Sequence, residues 1–137
     1  MIDHLVLTVS DVARSLAFYE KALAPLGHTN KVAYPGHPGH APLVGLGDDD
    51  ERYLLLRAGV PAPHAVHVAF VASKQAAVRA FYAAALAAGG TDNGKPGERH
   101  YHPGYYAAFI RDPDGNNIEA VFHGEAERSA ASVKIVF

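Results

Sequence analysis

The chain has 137 residues, of which 49% are hydrophobic, and its formal net charge is −2. This is the length of one domain with an ordinary core, and the lack of a basic block argues against nucleic acid or an anionic membrane as a partner. The absence of cysteine excludes disulfides, zinc-thiolate sites and thiol nucleophiles. No apolar run approaches the roughly 18 residues of a membrane-spanning helix. The N-terminus has the pattern of a strand rather than of a signal peptide, so a cytoplasmic protein is expected.

Two stretches of the chain repeat each other at an offset of 63 residues. Residues 4–27 align with residues 67–90 without a gap, and 10 of the 24 positions are identical. Most of the identities are Phe, Tyr, Leu and Ala at helical spacing, as a buried helix face requires. The leading histidines, His4 and His67, have no such packing role. We therefore expect one domain of two modules, in which pseudo-symmetry brings two imidazole ligands together.

The first module begins with a predicted strand at residues 2–9. This segment has the length of a strand and is rich in β-branched and apolar residues. Ser10 or Asp11 can cap the helix that follows. Side chains alternate along a strand, so a helix that covers the odd-numbered face leaves His4 on the other face. His4 is therefore expected in the cleft that the sheet encloses.

The rest of the first module has weaker signals. A loop rich in proline, glycine and histidine is followed by a short strand at residues 43–46 and an acidic turn at residues 48–50. Residues 53–57 are predicted as the last strand of the module. Residues 59–65 have the composition of a linker.

The second module repeats this order. Residues 66–72 are predicted to form a strand that carries His67, and Ser73 is expected to cap the next helix. Gly89 and Gly90 suit the C-terminal end of that helix, where positive φ is common.

A hairpin ends the second module. Strands are predicted at residues 105–111 and 117–122, and the sequence Asp-Pro-Asp-Gly-Asn joins them. Proline pre-sets φ at the second position of a tight turn, and glycine tolerates the left-handed position after it. Each module is predicted to be β-α-β-β-β, and the fold class to be α+β.

Paired β-α-β-β-β modules with a histidine on each first strand, followed by YYAAFIRDPDGNNIEAVFH, resemble the vicinal oxygen chelate superfamily. This superfamily includes glyoxalase I, extradiol dioxygenases, fosfomycin-modifying enzymes and bleomycin resistance proteins. The resemblance implies a single domain over residues 1–123, divided into module one at 1–58, the linker at 59–65 and module two at 66–123. Residues 124–137 are then a C-terminal extension. In this superfamily the curved mixed sheets of the two modules enclose a cleft.

The resemblance also implies a divalent metal ion held by His4, His67 and Glu119. Two neutral imidazoles and one carboxylate suit one face of an octahedral ion, and this donor set accepts Fe, Mn, Zn or Ni. The remaining positions are open to water or to a substrate with two neighbouring oxygens. The ion acts as a Lewis acid on a carbonyl, enolate or catecholate.

The first module departs from the glyoxalase I pattern, which has a fourth ligand, a glutamate, on its last strand. One repeat before Glu119 the chain has Leu56, and neighbouring registers give Leu55 or Leu54. All of these are leucine, so lactoylglutathione lyase activity is not expected. Ring-cleaving members have a tyrosine just before the final turn, where this chain has Phe109, so ring cleavage is not favoured.

The segment before the final hairpin contains the remaining candidates. His102 is the candidate general acid or base, because imidazole exchanges protons near neutral pH. The candidate substrate-binding residues are Tyr105, Tyr106, Arg99 and His100. The two tyrosines point to opposite faces, so about one of them can reach the cleft. The arginine can hold an anionic substrate.

Three functions fit these features. The first is a metal-dependent lyase, isomerase or dioxygenase that acts on a small oxygen-rich metabolite. The second is a metal-free protein that binds or sequesters a small molecule, as bleomycin resistance proteins do. The third is a non-catalytic interaction domain whose cleft is filled by its own side chains. Superfamily members are often dimers, and residues 124–137 can add an edge strand or a contact to a neighbour, so a homodimer is expected.

Overall fold

The computed structural model describes residues 3–62 and 66–124. The predicted linker lies partly outside these ranges, as do residue 2 of the first predicted strand and residues 125–137 of the predicted extension. Within the described ranges, no helix is both long and apolar enough to span a membrane.

The first module follows the predicted order of elements. Its bounds are β1 at Leu5–Val9, α1 at Val12–Leu23, β2 at Asn30–Tyr34, β3 at Leu43–Gly47 and β4 at Arg52–Ala58. Of the two predicted caps for α1, the structure uses Asp11, whose carboxylate accepts a hydrogen bond from the backbone N–H of Arg14 at 2.9 Å. This bond satisfies one of the free N–H groups of the first helical turn.

The second module has the same order. Its bounds are β5 at His67–Val71, α2 at Gln75–Ala87, β6 at Thr91–Glu98, β7 at Tyr106–Arg111 and β8 at Asn117–Phe122. The predicted cap at Ser73 is wrong, because α2 begins one residue later than expected and its N-cap is Lys74, which makes no side-chain capping bond. The carbonyl of Lys74 closes the first turn by accepting from the N–H of Ala77 at 3.0 Å.

Each module forms a four-stranded mixed sheet. The strand orders are β1-β4-β3-β2 and β5-β8-β7-β6. In both sheets the first strand of the module runs parallel to the last, and the other neighbouring pairs are antiparallel. The α+β class and the two β-α-β-β-β modules are therefore confirmed.

The two modules share one hydrophobic core between their helices and one face of each sheet. Its largest fully buried side chains include Tyr19 and Phe18 of α1, Phe81 of α2 and Leu56 of β4. We call the opposite side of each sheet its open face, because residues there such as Val6 and Val71 are exposed. Side chains alternate along a strand, so both first-strand histidines lie on the open-face side.

The predicted turn between β7 and β8 also joins the modules. Gly115 has φ 88°, and its N–H donates to the carbonyl of Asp112 at 2.9 Å, which confirms the predicted turn chemistry. The carboxylate of Asp112 accepts from the Tyr19 hydroxyl of α1 at 2.5 Å. The carboxylate of Asp114 accepts from the backbone N–H of Ser10 at 3.0 Å. The turn of the second module therefore holds the first helix of the first module.

Candidate functional site

A histidine and a glutamate meet on the open face of the second sheet. Glu119 of β8 pairs with Ala69 of β5, so its side chain lies on the same face as His67, two residues earlier. His67 Nε2 is 3.0 Å from Glu119 Oε2. The His67 side chain is 50% exposed, whereas that of Glu119 is 3% exposed. The parallel pairing of β5 with β8 thus presents an accessible imidazole beside a buried carboxylate.

Glu119 has a second partner in the chain. The hydroxyl of Tyr105 donates to Glu119 Oε1 at 2.6 Å. The pKa of Tyr105 is well above its usual value, first because burial disfavours the phenolate and then because the hydrogen bond and the charge of Glu119 oppose ionisation. The phenol therefore remains a donor across the neutral range and holds the carboxylate in place.

An aromatic ring and an arginine border this pair. Phe109 lies directly across from Glu119 in the antiparallel pairing of β7 with β8. Its ring stacks on that of His67, with the centroids 6.1 Å apart and an angle of 27°. The guanidinium carbon of Arg99 lies 5.4 Å from the centroid of Phe109. Phe109 thus places an apolar ring between an imidazole and a cation.

Two histidines contact the ring of Tyr105. His102 Nε2 is 2.9 Å from His123 Nδ1, and His102 Nδ1 is 2.9 Å from the carbonyl oxygen of Pro103. A carbonyl only accepts, so Nδ1 of His102 carries a proton, and in the neutral pair its Nε2 accepts from Nδ1–H of His123. Both imidazoles meet the ring of Tyr105 edge-on, with centroids 5.2 and 5.1 Å away.

His123 was not among the residues predicted for the site. The signal that could have found it is its even spacing from Glu119, because residues four apart on a strand share a face. His123 directly follows β8, which ends at Phe122.

The other predicted residues lie apart from this group. Tyr106 packs against the core, with its ring 5.9 Å from the guanidinium carbon of Arg79, so Tyr105 is the tyrosine on the open face. His100 is exposed in the loop before β7. His4 is also exposed, and its Nδ1 lies 2.5 Å from Asp3 Oδ1. Within residues 3–62 and 66–124, no group of three or more His, Asp or Glu side chains is placed to hold a metal, so His4 does not join His67 and Glu119 in a single chain.

The pairing register selects one of the three candidate counterparts of Glu119 in the first module. Ala69 pairs with Glu119, and its repeat partner Val6 pairs with Leu55. The counterpart is therefore Leu55 rather than Leu56, which is fully buried in the core. A Cβ on Gly45 would lie 3.0 Å from both Leu55 and Tyr34, so these two side chains cover the strand there. The open face of the first sheet is apolar where that of the second sheet has its carboxylate.

Comparison with known proteins places these features in a family. Residues 1–120 match the model of the Glyoxalase/Bleomycin resistance protein/Dioxygenase superfamily. The chain is 34% identical over 119 residues to virulence protein STM3117 of Salmonella typhimurium. The match covers 86% of this chain and 81% of that protein.

Two solved structures illustrate the likeness in three dimensions. A glyoxalase/bleomycin resistance protein from Albidiferax ferrireducens is 29% identical, with a TM-score of 0.68 over 88% of this chain and 96% of that one. A glyoxalase I mutant from Zea mays is 27% identical, with a TM-score of 0.61 over 88% of this chain and 45% of that chain, so this chain spans less than half of the maize enzyme. The chain belongs to the glyoxalase/bleomycin resistance protein/dioxygenase superfamily.

Proposed function

We propose that the protein is a divalent-metal-dependent enzyme, a lyase, isomerase or dioxygenase, that acts on a small oxygen-rich metabolite. The observation that carries this proposal is the contact of His67 Nε2 with Glu119 Oε2 at 3.0 Å on an open face. Two donors this close suit a single ion, since metal–nitrogen and metal–oxygen distances are about 2.0 to 2.2 Å. When bound, the ion supplies Lewis-acid chemistry to a substrate carbonyl, enolate or catecholate.

The third ligand in this proposal is His4 of a second copy of the chain. His4 stands at the same point of the first module as His67 does in the second, and its side chain is 51% exposed. A homodimer that places the first open face of one copy against the second open face of the other completes the set of two imidazoles and one carboxylate. Fe, Mn, Zn and Ni all accept this donor set.

The surrounding side chains have separate tasks. Tyr105 fixes Glu119 by its hydrogen bond, and Phe109 shields one face of the His67 ring. His102 and His123 form a proton relay. A proton taken from the substrate at Nε2 of His123 releases the proton on its Nδ1 to Nε2 of His102, and His102 becomes the imidazolium. The carbonyl of Pro103 accepts from Nδ1 of that imidazolium.

Elemental analysis of protein purified without a histidine tag tests this proposal. We expect one divalent ion per chain, lost in both the His4→Ala and Glu119→Ala variants. His37→Ala, which changes an exposed loop histidine, is the matched control and should keep its metal. Full occupancy in the His4→Ala and Glu119→Ala variants would refute the assigned ligands.

A second candidate is a metal-free protein that binds or sequesters a small molecule. The hydrogen bonds of Glu119 to His67 and Tyr105 favour it, because a buried carboxylate with two partners does not require a cation. This candidate predicts that ligand affinity is unchanged after exhaustive chelation. A fall in affinity on chelation, restored by added metal, excludes it.

A further inference from the structure

We propose that Arg99 binds an anionic group, a carboxylate or a phosphoryl group, of the substrate, so that the substrate class is a small oxyacid anion. This inference rests on the proposed function only in placing the substrate on the open face of the second sheet. Its three supports are the fixed position of the guanidinium, its lack of a carboxylate partner among the described residues and its contact with Phe109, whose ring stacks on His67.

Arg99 is held in place by backbone. Its Nη2 donates to the carbonyl of Lys95 at 2.7 Å and its Nη1 donates to that of Glu98 at 3.2 Å. A Cβ on Gly97 would lie 3.1 Å from Nη1, and one on Gly94 would lie 3.5 Å from Nη2. The guanidinium therefore lies over strand β6 in space that two glycines leave free.

Within residues 3–62 and 66–124, the charge of Arg99 has no carboxylate partner. None of the ion pairs between residues of the described ranges includes it. The two carbonyls use two of the five N–H donors of a guanidinium, so three remain for a ligand. A planar, preorganised cation of this kind binds carboxylate and phosphoryl oxygens through paired hydrogen bonds.

The position of Arg99 suits two-point binding of one small molecule. Its guanidinium lies on the ring of Phe109, and that ring stacks on His67, so the cation is one aromatic ring away from the His67 and Glu119 pair. A substrate whose neighbouring oxygens face that pair can extend an anionic group across Phe109 to Arg99.

The open face of the first sheet also carries a cation. Arg57 pairs with Thr8 in the register of β1 with β4, and its Nη2 donates to Thr8 Oγ1 at 3.2 Å. The ion pairs between described residues do not include Arg57 either. Each open face therefore carries an arginine that lies outside the ion pairs of the described residues.

Calorimetric titration of the metal-loaded full chain with three probes tests the inference. The probes 2-oxoglutarate, phosphonopyruvate and 2-oxobutyrate share a 2-oxo acid end, and only the first two have a second anionic group. We expect the native protein to bind those two at least about tenfold more tightly than 2-oxobutyrate, as charged hydrogen bonds commonly give. Tighter binding of 2-oxoglutarate identifies a carboxylate as the natural partner of Arg99, and tighter binding of phosphonopyruvate identifies a phosphoryl group.

The variants separate recognition of the anion from general damage. Arg99→Gln should abolish the preference, and Arg99→Lys should retain part of it. Arg79→Gln, a loss of charge on the helix α2 beside Tyr106, is the control and should keep the whole preference. If Arg99→Gln does not fold, as judged by circular dichroism, the partial loss in Arg99→Lys decides the matter.

Absence of any preference in the native protein, or a full preference in Arg99→Gln and Arg99→Lys, overturns the inference. The proposed function fails separately. If chelated protein keeps an Arg99-dependent preference at undiminished affinity, the anion site stands and metal dependence does not. If metal binds as assigned but no preference exists, the enzyme proposal stands and the role of Arg99 does not.

Discussion

Replacing Tyr19 with Phe is expected to weaken the junction of the two modules. The Tyr19 hydroxyl donates to Asp112 Oδ2 at 2.5 Å, and the two residues are 0% and 4% exposed. The substitution removes one oxygen atom and leaves the ring of Tyr19 to pack edge-on against Phe18. The change therefore isolates one buried hydrogen bond between residues 93 positions apart.

The size of the effect follows from the partners that Asp112 retains. Its carboxylate also accepts from the side chain of Asn116 at 2.8 Å and from the backbone N–H groups of Asn116 and Asp114 at 2.8 and 2.9 Å. A hydrogen bond to a charged group contributes about 1.5 to 3 kcal/mol. Because three donors still hydrogen-bond the carboxylate, we expect a loss of stability in the lower half of that range.

Urea unfolding followed by circular dichroism measures this loss. The free energy of unfolding should fall by about 1.5 to 2 kcal/mol with an unchanged m-value, at one fixed protein concentration because oligomers unfold in a concentration-dependent way. Tyr101→Phe removes the same atom from a side chain that is 72% exposed and is the matched control. It should change the free energy of unfolding by less than about 0.5 kcal/mol.

A double-mutant cycle isolates the bond itself. In an Asp112→Ala background, Tyr19→Phe should cost little, so the coupling energy between the two sites should be about 1.5 kcal/mol. Equal losses for Tyr19→Phe and Tyr101→Phe, or additive effects in the cycle, would refute the assignment of the turn as an inter-module junction.

Three further predictions concern other parts of the chain. Burial lowers the pKa of His28, so the unfolded chain binds a proton at this residue more readily, and the free energy of unfolding falls as the pH drops below the unfolded-state pKa of about 6.5. Between about pH 7.5 and 5.5 the free energy of unfolding should fall more in the native protein than in His28→Gln, and equal losses would contradict this. Gly90→Ala puts a Cβ 2.9 Å from Phe18 and 3.0 Å from two carbonyl oxygens; urea unfolding should show a loss of about 1 to 3 kcal/mol, and a neutral result would mean that the backbone yields. Tyr105→Phe removes one of the two hydrogen bonds of Glu119, so thermal unfolding should show a loss of about 1.5 to 3 kcal/mol that added Zn(II) partly restores; the same loss with and without zinc would count against the proposed metal site.

The Asp-Pro-Asp-Gly-Asn turn shows how far a local signal extends. Its conformation was predictable, because proline and glycine set φ at their own positions. The hydrogen-bond partners of the turn in the first module were not predictable. The bonds of Asp112 to Tyr19 and of Asp114 to Ser10 join residues far apart in the chain, and only packing of α1 against the second module creates them. The turn therefore also forms the junction of the two modules.

Two strands, β2 and β6, could not be located from the sequence. β6 includes Pro96 and two glycines, which weaken a strand signal and are tolerated because β6 is at the edge of its sheet. β2 is at the edge of the other sheet and has little apolar alternation. Each of these strands forms because it pairs with an inner strand, and the propensities of its own residues do not predict it.

The sequence by itself determined the duplication, the α+β class, the hairpin turn and the face of each first strand that carries a histidine. These depend on repeated side-chain types, alternation and local φ preferences, all of which act within a few residues. Tertiary structure decided that Tyr105 rather than Tyr106 reaches Glu119, that Leu55 is the counterpart of Glu119, and that His123 pairs with His102. It also decided that His4 lies apart from His67 and Glu119 in one chain. Strand register and module packing place these atoms, and both are set by contacts between segments that are distant in the sequence.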